Sequence, residues 1–328
     1  MKRLLPAACC AALLLLQSFA CDSESTPGLE YVGTGGEPVA IRLSSLTPEV
    51  MLDLDIEPGQ QSFVLDTGSP VHLADVGHYA VEVGVHHLQM TGLGLVFLNL
   101  PYVFEDFFEA WVPVSGLLGA NLLTYFDWEL NYPDRTVTLY TAGFPARDPA
   151  DARINFTLTG GGRYRLSNGD TLDVGATRHL VYVDLEGTRI LALMDTGASY
   201  MVIKQTVLDT LGTTTGRPDH GTTEVVTAYG VISAPLTELE TVAFSDAPDA
   251  TRMSGVYTVV VSDDFLASLR VETGRQVDAL IGGAFLSQFR LRFATSERII
   301  DVHTPGVKRR TTPPIVPCRL PPVVEVRP

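Results

Sequence analysis

Residues 179–199 read HLVYVDLEGTRILALMDTGAS, and residues 50–69 read VMLDLDIEPGQQSFVLDTGS. Each stretch holds an alternating apolar run, a turn signal (Glu186-Gly187 or Pro58-Gly59) and a second apolar run that ends in Asp-Thr-Gly. A period of two puts apolar side chains on one face of a strand. Two such runs around a Gly-bearing turn predict a β-hairpin. The chain therefore contains a diverged repeat, and the return strand of each hairpin delivers an aspartate, Asp66 or Asp195.

The ends of the two copies agree more closely still. Residues 119–140, GANLLTYFDWELNYPDRTVTLY, align without a gap on residues 282–303, GGAFLSQFRLRFATSERIIDVH. Leu123 falls on Leu286, Phe126 on Phe289, Arg135 on Arg298 and Val137 on Ile300. Phe126, Trp128 and Leu130 share one strand face, as do Phe289, Leu291 and Phe293. A polar turn then leads into a last strand in each copy. The middles differ: 70–115 is compact, whereas 200–279 is longer and turn-rich around 213–223 and 245–252. Helical patterning is short, best at 204–211 and 264–269. The protein is expected to be mainly β.

These landmarks divide the chain into a first lobe (41–148), a connection (149–176) and a second lobe (177–305). Gly160-Gly161-Gly162 and Asn168-Gly169 give the connection one or two hairpins of its own. The tail, 306–328, is rich in proline and expected to be extended.

Asp66-Thr67-Gly68-Ser69 and Asp195-Thr196-Gly197-Ala198 resemble the active-site motifs of aspartic peptidases, the group that includes pepsin and the retroviral-type enzymes. In that group an apolar-apolar-Gly element follows each motif. Leu117-Leu118-Gly119 and Leu280-Ile281-Gly282 supply it twice here. The stretch 195–212, DTGASYMVIKQTVLDTLG, is similar to bacterial retroviral-type versions, and the resemblance covers about 50–140 and 179–303. It implies a pepsin-like bilobal fold: two related β-barrel-like lobes with a central cleft, one aspartate from each, and catalysis by Asp66 and Asp195. It also assigns Thr67 and Thr196 to hydrogen bonds across the lobe junction. A single Asp-Thr-Gly is weak evidence, since Asp and Gly are turn residues; two at equivalent places in a repeat are not.

The residue types suit the chemistry. Amide hydrolysis needs an activated water and a proton for the leaving nitrogen. Two carboxyls a few ångströms apart cannot both ionise, so they share a proton. The charged one takes a proton from water and the protonated one donates to the carbonyl oxygen. No metal, cofactor or covalent intermediate is required. Gly68 and Gly197 permit close backbone approach. At the fourth position Ser69 is expected to donate a hydrogen bond to Asp66, which Ala198 cannot do for Asp195. Asp66 should then carry more of the negative charge and Asp195 more of the proton.

A flap over the cleft is expected at Thr227-Ala228-Tyr229-Gly230, with Gly230 at the tip and Tyr229 over substrate. Thr91-Gly92-Leu93-Gly94 is the first-lobe candidate and lacks a tyrosine. His86-His87 has no ligand cluster around it and reads as a strand edge, so no metal is expected. Neither Ser69 nor Ser199 has an attendant His motif for nucleophilic catalysis.

The 328 residues are 45% hydrophobic and 19% charged, with net charge −15. This suits a folded chain with a large core and disfavours nucleic-acid binding, which wants a basic face. Lys2 and Arg3, then an apolar run over 4–16, then Ser18-Phe19-Ala20, have the layout of an export signal over 1–20. Residues 21–40 would be a tether. Cys21 resembles the lipidated cysteine of bacterial lipoproteins, giving a membrane anchor in the cell envelope. Alternatively Ser18-Phe19-Ala20 is an ordinary cleavage site, the protein is secreted, and Cys21 is free to pair with Cys318. The expected partner is a peptide or protein substrate, and a chain holding both aspartates is expected to work as a monomer. The rival reading is an inactive protein of the same fold that binds peptides or serves as an envelope lipoprotein.

Overall fold

The computed structural model describes residues 29–43, 49–56, 59–79, 81–105, 114–145, 148–166, 168–211, 217–227 and 230–305. Both signature hairpins form. Val50–Ile56 pairs antiparallel with Gly59–Asp66, and Arg178–Leu185 pairs antiparallel with Thr188–Met194. In the second hairpin Glu186 (φ 52°) and Gly187 (φ 87°) are both left-handed. Such a two-residue turn matches the right-handed twist of the strands it joins.

Each aspartate-bearing strand has a parallel neighbour. Gly116–Gly119 lies beside Phe63–Asp66, and Ala279–Ile281 beside Ala192–Met194. On its other side each neighbour runs antiparallel to the strand that follows the motif, His72–Asp75 or Met201–Lys204. The apolar-apolar-Gly element is thus clamped between the strands before and after the aspartate. Flanked on both edges and largely buried, it has to be a continuous apolar run. Its glycine is required by space: a Cβ on Gly119 would strike the carbonyl of Val71, and one on Gly282 that of Tyr200.

The lobes are an eight-stranded and a nine-stranded sheet joined by a third, six-stranded sheet. The middle pair of the third sheet is Asp127–Asn131 against Arg290–Ala294, with Trp128 opposite Phe293 and Leu130 opposite Leu291. These are the strands that align in the repeat, so the pseudo-twofold axis passes between Glu129 and Arg292, which are both equivalent and opposed. Trp128 and Phe293 stack with centroids 3.9 Å apart and planes at 4°. The turns to the last strands match as well, with Arg135 at φ 55° and Arg298 at φ 60°.

Two expectations need correction. Tyr31–Val32 pairs with Val96–Phe97, and Val39–Ala40 with Thr136–Val137. The stretch read as a tether therefore enters two sheets near its end, because its short apolar pairs cover open strand edges. In the connection, Gly162–Arg165 and Thr171–Val174 form one hairpin, as expected, while Ala152–Asn155 joins the six-stranded sheet and Thr157–Thr159 pairs with Arg178–Leu180. The closing units also contain helical turns, Ala120–Leu123 and Gly283–Leu286, too short to show a helical period. The other helices include Gln205–Thr210 and a 3₁₀ turn, Asp263–Leu266, continuing into Ala267–Thr273. Residues 1–28 and 306–328, with Cys21 and Cys318, lie outside the described residues.

Candidate functional site

The two Asp-Thr-Gly motifs meet at the lobe junction. Thr67 Oγ1 donates to the carbonyl of Met194 (2.8 Å), and Thr196 Oγ1 donates to that of Leu65 (2.5 Å). Each hydroxyl also accepts the backbone N–H of the other threonine, at 3.1 and 3.0 Å. Both threonines are 1% exposed, so these bonds form out of water's reach and fix the loops in register.

The glycines bring the carboxylates together. A Cβ on Gly68 would land on the carboxyl carbon of Asp195, and one on Gly197 would lie 2.6 Å from that of Asp66. Each loop thus leaves room for the opposite lobe's aspartate. The two carboxyls are half-buried, each set against the glycine of the opposite loop. Asp66 Oδ1 accepts the N–H groups of Gly68 (2.7 Å) and Ser69 (3.1 Å), and Asp195 Oδ1 those of Gly197 and Ala198 (both 3.0 Å).

The pair is electrically unequal. Burial, the charge of Asp66 and the bond Asp195 donates to it hold Asp195 far above the usual carboxylate range. Burial raises Asp66 too, but the bond with Asp195, the N–H groups of Gly68 and Ser69, and the charge of Arg178 oppose that rise. The charge of Arg178 and the backbone donors thus favour the negative charge on Asp66, while burial and that charge favour the proton on Asp195. The expected cause does not hold. The Ser69 hydroxyl does not reach Asp66; it donates to the carbonyl of Val71 at 2.7 Å. The Ser/Ala difference leaves the carboxylates with equal backbone donors.

Residues with no sequence signal surround this core. Arg178 donates to the carbonyl of Gly68 and is forked onto Glu272, with Nε to Oε1 and Nη2 to Oε2 both 2.7 Å. Ser199 donates to Glu49. Tyr132 is buried near Asp195, and burial, then the nearby dyad, raises its phenol well above its usual range. His86 accompanies the carbonyl of Glu82, and no group of metal-binding side chains occurs among the described residues. Also among them, no helix is long and apolar enough to cross a membrane.

The two flap candidates differ in their packing. The first-lobe turn is packed into the lobe: Leu93 is 1% exposed, Thr91 pairs with Asp55 and Val96 with Val32. In the second lobe Asp219–Thr227 and Gly230–Leu239 form a long hairpin, of which only residues 236–239 pair onward, to Val256–Val261. Gly230 opens its second strand, and Tyr229 lies outside the described residues.

Residues 181–285 match the family model described as aspartyl protease. No curated protein sequence matches the chain. Among solved structures, the aspartic proteinase from Irpex lacteus is similar over 87% of this chain and 99% of its own, with TM-score 0.54 and 12% identity. Basic 7S globulin from soybean gives TM-score 0.47 and 12% identity over 84% of this chain and 95% of its own. A retropepsin-like aspartic protease from Rickettsia conorii gives 0.28 and 16% over 46% and 88%. The second lobe thus carries the aspartyl protease family match, and the chain as a whole has the two-lobed, mainly β fold of the pepsin-like aspartic proteinases.

Proposed function

We propose that the chain is an aspartic endopeptidase in which Asp66 and Asp195 activate a water between them. The observation that carries this reading is the meeting of the two motifs at the lobe junction, where each loop's glycine lies against the other lobe's aspartate. Asp66, the charged member, takes a proton from the water as it attacks the scissile carbonyl. Asp195 gives its proton to the carbonyl oxygen, and the leaving nitrogen is protonated as the tetrahedral intermediate collapses. The substrate lies extended in the cleft, paired through its backbone as an added strand.

Topology supports a second-lobe flap. Gly84–Gly92 and Gly230–Leu239 are counterparts, since each pairs with the strand that runs parallel to the one after its motif. The second lobe alone has a further strand, Asp219–Thr227, before this one. Val225 and Ile232 of the resulting ribbon pack against the same cluster of Val202, Ala234, Leu236 and Val259 as Tyr200, next to the Asp195 motif. We assign the flap role to this ribbon, with Tyr229 and Gly230 at its end. We further propose an exported protein, anchored through Cys21 if that residue is acylated; the mass of the mature N-terminus distinguishes acylation from a bond to Cys318.

The deciding experiment is cleavage of a peptide library between acid and neutral pH. Pepstatin-sensitive cleavage that Asp66→Asn lowers by about 10³-fold or more is the expected result, since acid–base catalysis contributes 10²–10⁴-fold. An intact library at every pH would favour the non-cleaving peptide binder.

A further inference from the structure

Two positions that the repeat makes equivalent carry opposite charges. Met51 lies opposite Val64 in the first hairpin, and Leu180 opposite Leu193 in the second. Extending each register puts Glu49 across from Asp66 and Arg178 across from Asp195. Each reaches the other lobe's loop. Arg178 bonds Gly68 beside Asp66, and Glu49 bonds Ser199 beyond Asp195. The first catalytic loop is thus backed by a cation, and the second by a carboxylate.

Arg178 is 6% exposed, and its guanidinium stays charged when buried. Glu272 holds the fork in place and is itself held by the Tyr164 hydroxyl at 2.7 Å. Tyr164 belongs to the connecting hairpin and packs near Val71 and Leu73, just past the first motif. A continuous chain of bonds therefore runs from that hairpin through Glu272 and Arg178 to Gly68, whose N–H binds Asp66.

We propose that Arg178 is a positioning residue of the dyad: it fixes the first catalytic loop through Gly68 and keeps the negative charge on Asp66, so that the repeat's two aspartates take fixed and different roles. The charged and titratable groups facing the dyad are Asp66 and Asp195 themselves, Arg178 behind Asp66, and Tyr132 near Asp195. Glu272 and Tyr164 face Arg178 in turn. With Tyr132 neutral and Glu272 spent on Arg178, the guanidinium is the one cation acting on Asp66 among these groups. Its effect is supported by the lowering influence of Arg178 on Asp66. The kinetic consequence rests on the peptidase reading; the placement of charge does not.

The test uses the full chain and two readouts: the pH profile of peptide cleavage, and carboxyl ¹³C titration of the dyad, which needs no turnover. An opposite charge at this range lowers a carboxyl by about 1–3 pH units. Arg178→Gln is therefore expected to move the acid limb, and the lower dyad titration, up by about one unit, with kcat down about 10-fold. Arg178→Lys keeps the charge but not the fork, so it should hold the acid limb in place while kcat falls. Should Arg178→Gln misfold because Glu272 is left buried and unpaired, the double variant Arg178→Gln/Glu272→Gln removes both charges and should show the same upward move. An unmoved acid limb and unmoved titration in either folded variant overturns the proposal. A wild type that cuts nothing would overturn the peptidase reading, and the titration would still decide this one.

Discussion

The two lobes solve one burial problem with different pieces of chain. In the second lobe, Tyr200, Val202, Val259 and Leu280 share one apolar cluster with Val225, Ile232, Ala234 and Leu236 of the lobe's own ribbon. The equivalent face of the first lobe, Val71, Leu73, Val103 and Leu117, is covered by Tyr164, Leu166, Leu172 and Val174 of the connecting hairpin. A mixed sheet left with one apolar face in water is costly, and the first lobe has no ribbon to cover it. The inserted connection supplies the cover. Across the pseudo-twofold axis the lobes also differ by charge, Glu49 against Arg178 and Glu129 against Arg292. Identical residues at the axis would repel; divergence turned such pairs into attractive ones, and Arg290 and Arg292 both contact Glu129, at 2.9 and 3.3 Å.

The largest effect expected from breaking this comparison is chemical. Asp66→Asn and Asp195→Asn should each abolish cleavage, yet they should differ in stability. A carboxyl whose pKa is raised in the folded state contributes stability that is complete below its unfolded value, near 3.8, and is lost as pH rises. Asp195→Asn should therefore melt above wild type at neutral pH and level with it below about pH 4, with the smaller gain for Asp66→Asn. Equal melting curves for both variants at pH 7 would count against the unequal dyad.

Next in size is acid sensitivity. His72 and His179 are fully buried, and burial depresses them to about 3 and about 4. Their repeat counterparts are the apolar Met201 and Val50. A depressed histidine contributes stability present above its unfolded value near 6.5 and lost as pH falls toward the folded value. For His179 the full loss is roughly 3 kcal/mol. His179→Leu, placed among Trp128, Phe156 and Phe293, should flatten the fall in melting temperature between pH 7 and pH 4.5. An unchanged slope rules out this source of acid sensitivity.

The covering pieces should differ more modestly. Leu166→Ala removes a buried cover of the first lobe and should cost about 2–3 kcal/mol in denaturant unfolding. Val231→Ser on the second-lobe ribbon, where Val231 is 41% exposed, should stay within about 0.5 kcal/mol while raising KM if the ribbon meets substrate. Smallest is the threonine pair. Thr67→Val and Thr196→Val each lose equivalent bonds and should destabilise by about 1–2 kcal/mol, alike within error despite their unlike lobes.

Much of the site was legible because it is local and repeated. Period-two alternation, a glycine turn and Asp-Thr-Gly lie within some twenty residues in each copy, and the duplicated apolar-apolar-Gly element tied each aspartate to a second strand. The gap-free match of 119–140 to 282–303 likewise foretold the pairing at the axis. Ser69 misled because donor chemistry alone ignores direction: the backbone after the motif aims its hydroxyl at Val71. Arg178, Glu272 and Tyr164 carried no signal, since they share no period and lie in three separate segments. The edge strands at 31–32 and 39–40 were missed because two-residue strands leave no pattern to read.

The sequence by itself determined the duplicated hairpins, the two aspartates and the glycines that let them approach, because each depends on neighbours a few residues away. Only the tertiary structure decided how the pair is polarised and what covers each lobe. Those outcomes depend on which charge or apolar side chain is brought within a few ångströms across more than a hundred residues of chain, and short-range pattern does not encode that distance.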